Sequence, residues 1–245
     1  MTKKQPDFDF LKEEMDSSGF EGINAETMSI PFIRLLQDLS PQLKKNKPEY
    51  IEGAKAGEFF NTITGEVYGE TLRIVVGKFE RYYIEWKPNR QGFVATHDVG
   101  YVDGNPKLFE RNERNQLEHI KTGNIFQETY IYYVLLPDHL SDGVCVISMA
   151  STQLKEARRL NRMLTTTMIP GTEQRALPYF MIWNVKVVPM SNDQGDWYGW
   201  QFDLDSMVTQ DVLECVKEER KALPSKQVDF KQLEILESND EDVPF

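Results

Sequence analysis

Histidine and cysteine are scarce in this chain of 245 residues, which has 3 of the first and 2 of the second. The two thiols, Cys145 in "GVCVISM" and Cys215 in "VLECVKE", stand in separate apolar stretches without CxxC spacing, which reads as buried thiols rather than a disulfide or metal framework. His97, His119 and His139 are scattered, none at HxxxH spacing, so no metal site is expected. There is no Walker lysine motif, GxSxG or HExxH. The neighbours His97 and Asp98, and Asp138 and His139, would diverge along a strand, while "DGN" at 103–105 and "NDQGD" at 192–196 read as turns. A non-enzymatic protein without cofactors is the expectation. Long apolar runs are also missing: no window approaches 18 uninterrupted apolar residues, and "MTKKQPDFDF" is polar and acidic at the start, unlike a signal peptide. The expected location is the cytoplasm.

What is present is a globular composition, 40% hydrophobic and 27% charged, with a net charge of −11. That sum argues against a nucleic-acid partner, but the distribution matters more. Residues 1–21 hold 3 bases against 6 acids, and residues 205–245 hold 5 against 11. Residues 22–204, with 20 bases and 22 acids, are nearly neutral and can carry a basic groove.

Residues 7–15 and 28–39, "MSIPFIRLLQDL", read as short helices, the second capped by Ser29 with Pro31 in its first turn. Residues 1–57 are thus expected to form a helical and loop extension. From Thr71 the texture becomes strand-like: "TLRIVVGKFERYYIEW" reads as one long strand bent at Gly77. A polar, irregular segment follows over 87–124. Strands are then expected over 125–136 and 143–149, a helix over 151–164, a hairpin of 179–188 with 197–204, and a helix over 205–222. The sequence predicts a β-rich α+β fold. One assignment is an OB-like five-stranded barrel over 58–204, with a helix between its third and fourth strands; another mixed β-rich fold remains the alternative. A C-terminal helix over 205–223 and a flexible acidic tail over 224–245 complete the division.

Proteins that grip single strands combine aromatic platforms with cations that follow the phosphates. "KFERYYIEWKPNRQGF" interleaves the two, nominating Lys78, Phe79, Arg81, Tyr83, Lys87 and Arg90. Strand alternation puts Phe79, Arg81 and Tyr83 on one face, the candidate groove, and Tyr82, Ile84 and Trp86 on the other, assigned to the core. The segment 107–121 adds Lys107, Phe109, Arg111 and Arg114. For each of these, packing of the aromatics and solvation of the charges is the competing reading. Lys155, Arg158, Arg159 and Arg162 form a basic stripe on the helix over 151–164, opposite Leu154, Ala157, Leu160 and Leu164. That stripe fits DNA contact, retention of the acidic tail, or plain solvation.

The chain closes on "NDEDVPF". Three carboxylates cannot fold into an apolar core, and a terminal phenylalanine with a solvated carboxylate suits a shallow apolar pocket rimmed by Lys or Arg. A solubilising end is the competing reading. Asp240, Glu241, Asp242, Val243, Pro244 and Phe245 resemble the acidic tip of bacterial single-stranded DNA-binding proteins, in which acidic residues precede Ile-Pro-Phe; Val243 replaces the isoleucine. Tailed-phage proteins of that function also end in an acidic tail with a terminal phenylalanine. Residues 29–103, with "IPFIRLLQDLSPQLKK" and "YYIEWKPN", resemble small tailed-phage proteins as well. The chain departs from the bacterial pattern in lacking a long Gly/Gln/Pro-rich linker before the tip.

The resemblance implies a phage-encoded protein that coats single-stranded DNA in the host cytoplasm during replication, recombination or repair. Its tip would recruit a polymerase, helicase, primase or exonuclease, and homo-oligomerisation is compatible with this reading. The competing classes are a phage structural protein, a DNA mimic that inhibits a host factor, and a nuclease with dispersed carboxylates.

Overall fold

The computed structural model describes residues 29–192 and 195–223. The helix expected over 7–15 and the tip residues 240–245 lie outside them.

Two long strands form the spine of a curled antiparallel sheet. β4 (Thr71–Trp86), rich in β-branched and aromatic residues, pairs with β8 (Ile125–Leu135) from Val75 opposite Leu135 to Trp86 opposite Ile125. Each lends its outer edge to two further strands. β4 takes β10 (Met181–Asn192) at one end and β5 (Phe93–Asp98) at the other. β8 takes β9 (Val144–Ala150) at the first end and β7 (Leu117–His119) at the second. β11 (Gly195–Met207) extends the sheet beyond β10, and β6 (Phe109–Arg111) extends it beyond β7. A small sheet of β1 (Ile33–Leu35), β2 (Phe59–Asn61) and β3 (Val67–Gly69) packs beside it.

The bend expected at Gly77 is a bulge, where the register with β8 shifts between Val76 and Lys78. On one face of the spine, Leu72, Ile74 and Val76 pack with Tyr130, Tyr132 and Val134 beneath α2 (Leu154–Thr166). The helix inserts Leu154, Ala157, Leu160 and Leu164, the apolar set expected of it. On the other face, Val75, Ile84 and Trp86 pack with Ile131, Tyr133 and Leu135 beneath Val212, Val216 and Leu223, with α3 (Gln210–Ala222) lying over them. Tyr83, Val102, Phe109 and Phe126 form a third, smaller core near α1 (Val99–Asp103).

The sheet curls into a half-barrel without a closing ladder: among the described residues no strand pairing joins β9 to β11. Side chains take up part of the open β11 edge. Gln37 donates to the Tyr198 carbonyl at 3.0 Å and accepts from the Tyr198 N–H at 2.8 Å. Glu156 of α2 accepts from the Phe202 N–H at 3.0 Å, and Arg159 donates to the Phe202 carbonyl at 2.7 Å. These contacts satisfy backbone groups that would otherwise lack partners on that side.

Two expectations need correction. The helix expected over 28–39 is instead extended chain containing β1, with Phe32 bridging Val146 in parallel. Phe32 enters the core under α3, whereas Ile33 and Leu35 enter the core under α2, so both faces of this segment are buried. A strand buried on both sides loses its alternation and mimics a helical apolar run. The segment 87–124 is not irregular throughout, because it carries β5, α1, β6 and β7. Among the described residues no helix is long and apolar enough to cross a membrane.

Candidate nucleic-acid interface

β8 leaves a gap along its outer edge. β7 pairs with it as far as Phe126, and the pairing with β9 starts at Thr129, opposite Ala150, so Gln127 and Glu128 have neither strand beside them. A cleft of about 340 Å³ opens there. Its walls come from parts of the chain far apart in sequence. Arg90 follows β4, Arg111 ends β6, Arg114 lies in the turn before β7, and Arg158 projects from the first turns of α2. The four arginines share the lining with a single carboxylate, Glu128, which of the four touches Arg158, while Arg111 donates to the Asn115 carbonyl at 2.7 Å. A concave site with one dominant sign of charge and low-dielectric walls concentrates the opposite charge, here anions.

Glu128 orients two of the surrounding cations. It accepts from Arg81 Nε at 2.7 Å and from Arg158 Nη2 at 3.3 Å. Burial lowers the Arg81 pKa, but the charge and hydrogen bond of Glu128 outweigh this and raise it overall. Arg81 also lies 3.9 Å from Asp103. Tyr83 lines the cleft but is only 8% exposed, and burial, reinforced by Glu128, pushes its phenol up, so it stays neutral at pH 7.

The backbone around the cleft is unusual. Four described residues other than glycine have positive φ: Asn89, Arg90, Asn115 and Ser151. The last three line the cleft. Asparagine tolerates this region, but for Arg90 and Ser151 it costs roughly 1–2 kcal/mol each. Such strain gathers where geometry serves a ligand. Ser151 is held by the Gln127 amide, which donates to its Oγ at 2.9 Å and accepts from Trp86 Nε1 at 3.1 Å. The β9–α2 junction is thereby tied to the floor of the spine.

The residues nominated from the sequence divide into groups. Tyr83, Arg90, Arg111, Arg114 and Arg158 meet in the cleft, and Arg81 borders it through Glu128. Phe79 shares the Arg81 face, is 39% exposed, and rests edge-on against Tyr130 at 5.2 Å. Lys87 and Lys107 are exposed on turns flanking β5 and β6, and Lys155 and Arg162 are exposed on α2; none of these four lines the cleft. Lys78 points to the other face, where it pairs with Glu80 at 2.6 Å and lies over the Tyr133 ring. Phe109 is buried against Phe126, with ring centroids 4.8 Å apart, and offers no platform. Arg159 turns away to Phe202 and Glu156. The tip residues Asp240, Glu241, Asp242, Val243, Pro244 and Phe245 lie outside the described residues. Glu128, Gln127 and Ser151 were missed; the only hint was a carboxylate in the middle of the aromatic strand "IFQETYIYY".

No curated protein and no solved structure gives a significant match. The family model described as "Pam3 phage gp34-like protein" matches residues 1–229. This arginine-lined cleft therefore sits in a chain that belongs to the Pam3 phage gp34-like protein family, a family of phage proteins.

Proposed function

We propose that the chain is a non-catalytic, sequence-tolerant single-stranded DNA-binding protein that acts in phage DNA replication, recombination or repair. The observation that carries this reading is the cleft at the β8 gap, lined by four arginines from three separate parts of the chain and by one carboxylate, although acids outnumber bases in the whole sequence. Phosphate contacts by arginine are indifferent to sequence. A cleft of this volume is comparable in size with a single nucleotide unit. Phe79, exposed on the adjoining surface, supplies a ring on which a base can stack. The fold adds support: β4, β8, β9, α2, β10 and β11 follow the strand and helix order of an OB barrel, whose strand face binds oligonucleotides. In this reading the acidic tip recruits replication or recombination enzymes.

Titration with oligo-dT at two salt concentrations tests the proposal. Trp86, hydrogen-bonded to Gln127 at the cleft floor, is an intrinsic fluorescent reporter. Affinity for oligo-dT should exceed that for duplex by at least about tenfold, and log K should fall with log salt by about 0.7 per phosphate neutralised. Equal affinity for duplex, or no response to either, would reject the reading; the latter is the behaviour of a structural protein or a DNA mimic.

A further inference from the structure

Which side chains of β4 reach the cleft face is decided by one residue. Val76 stands opposite Val134, and beyond the bulge Phe79, Arg81 and Tyr83 stand opposite Tyr132, Tyr130 and Glu128. Gly77 is the extra residue that shifts the phase. Were Gly77 an ordinary ladder residue, strict alternation from Leu72, Ile74 and Val76 would bring Lys78, Glu80 and Tyr82 onto this face and turn Phe79, Arg81 and Tyr83 toward α3. The chemistry of the groove therefore depends on the bulge being kept in place.

A bulged residue falls out of the ladder, and its backbone groups need other partners. The Gly77 carbonyl finds one in α3: Arg220 Nε donates to it at 2.9 Å. The arginine is itself held, with its guanidinium 4.1 Å from the centre of the Tyr179 ring. Its stem passes so close to the glycine that a Cβ on residue 77 would lie 3.4 Å from Arg220 Cγ. Arg220 sits in the last turn of α3, a helix seated through Val212 and Val216 on the face opposite the cleft. It is thus on the wrong side of the sheet to touch a ligand in the groove.

We infer that Arg220 is a positioning residue for the cleft face: from the opposite side of the sheet it fixes the Gly77 bulge and so the phase of Phe79, Arg81 and Tyr83. The DNA arm of the inference rests on the single-strand reading above; the structural arm does not. Seating of α3 and occupancy of the groove are then coupled, and coupling of this kind is reciprocal. Ligand in the groove favours a seated α3, and a factor that lifts α3 weakens the groove.

The test compares Arg220→Ala and Arg220→Lys with the wild type in two measurements, amide hydrogen exchange over residues 78–83 and oligo-dT affinity. Loss of a charge-assisted hydrogen bond should make exchange in this segment about tenfold faster in R220A and weaken oligo-dT binding by a similar factor per folded molecule. R220K keeps a donor for the Gly77 carbonyl and should recover much of both. Unchanged exchange in R220A overturns the inference, whatever happens to melting. Exchange over residues 78–83 that quickens in R220A no more than in the rest of the β4–β8 ladder also overturns it, because the arginine would then be only a helix anchor. If the wild type ignores oligo-dT, the single-strand reading falls, while the exchange arm still decides the role of Arg220. If exchange responds and a wild-type affinity for oligo-dT does not, the bulge is held by Arg220 but does not govern the groove, and the inference fails at that step.

Discussion

Arg159 and Phe202 are joined across the open side of the half-barrel, the guanidinium donating to the backbone carbonyl at 2.7 Å. This bond separates Arg159 from Arg158, its neighbour in sequence, which faces Glu128 and the cleft. Arg159→Ala removes a partner from a strand edge and leaves the Phe202 carbonyl to solvent. A stability loss of about 1–3 kcal/mol in denaturant titration is expected, with oligo-dT affinity per folded molecule unchanged. Arg158→Ala should do the reverse, weakening oligo-dT with little change in the denaturation midpoint. Equal effects of both variants on DNA would restore the uniform basic stripe and remove the strand-edge role.

Phe79 and Phe109 provide a second contrast. Both were nominated as stacking platforms, but Phe79 is 39% exposed and Phe109 only 8%. Phe79→Ala should weaken oligo-dT binding by about 1–3 kcal/mol, the range for one stacked base, while leaving melting nearly unaltered. Phe109→Ala empties a position in the small core with Tyr83, Val102 and Phe126 and should cost about 3–5 kcal/mol of stability. Any DNA defect in that variant should follow from displaced cleft walls, because β6 carries Arg111. A Phe79 variant that binds normally would take base stacking off this face.

The sequence was readable where one element obeys one period. The bent β4, the apolar face of α2 and the β10–β11 hairpin follow from alternation, 3.6-residue spacing and a turn. It misled where two periods overlap, as at residues 32–36, where burial on both faces of an extended segment looks helical. It was silent where elements are too short to show any period: β6 and β7 have three residues each, yet they carry Arg111 and one border of the cleft. The cleft itself arises from a mismatch between two pairing partners of β8, and pairing partners are a tertiary fact. For the same reason the cations are legible individually, but the gathering of Arg90, Arg111, Arg114 and Arg158 along one cleft is not.

Acid should weaken the contacts that Glu80 makes on the α3 side of the sheet. Glu80 accepts from the Tyr133 hydroxyl at 2.7 Å and pairs with Lys78 at 2.6 Å. Burial raises its pKa, but the hydrogen bonds from Lys78, Tyr133 and Tyr82 outweigh burial and hold it below the ordinary 4.5. Because the folded value is the lower one, the stabilisation is complete above the unfolded pKa and is lost as pH falls through the folded value. Wild-type stability, followed by urea denaturation between pH 7 and pH 3, should decline below about pH 4.5, and Glu80→Gln should flatten part of that decline at a cost of about 1 kcal/mol at neutral pH. Parallel profiles for the two proteins would mean that Glu80 contributes nothing to acid sensitivity.

The acidic tip makes two predictions that must separate. Asp240, Glu241 and Asp242 carry charges that repel phosphate and that the four cleft arginines attract, so deleting residues 240–245 should leave oligo-dT affinity equal or raise it. The gain should be greatest at low salt, where screening is weakest. Phe245→Ala keeps every one of those charges and removes only the apolar anchor, so it should leave DNA affinity unchanged. In the proposed reading both variants should lose recruitment of replication enzymes, because a phenylalanine beside acidic residues is the part of this segment that fits an apolar pocket rimmed by cations. Pull-down against purified polymerase, helicase, primase and exonuclease, run beside the oligo-dT titration, reads both effects in one set of proteins. Weaker DNA binding on truncation would assign the tip to the fold or the groove, and recruitment that survives Phe245→Ala would leave the tip as a solubilising end.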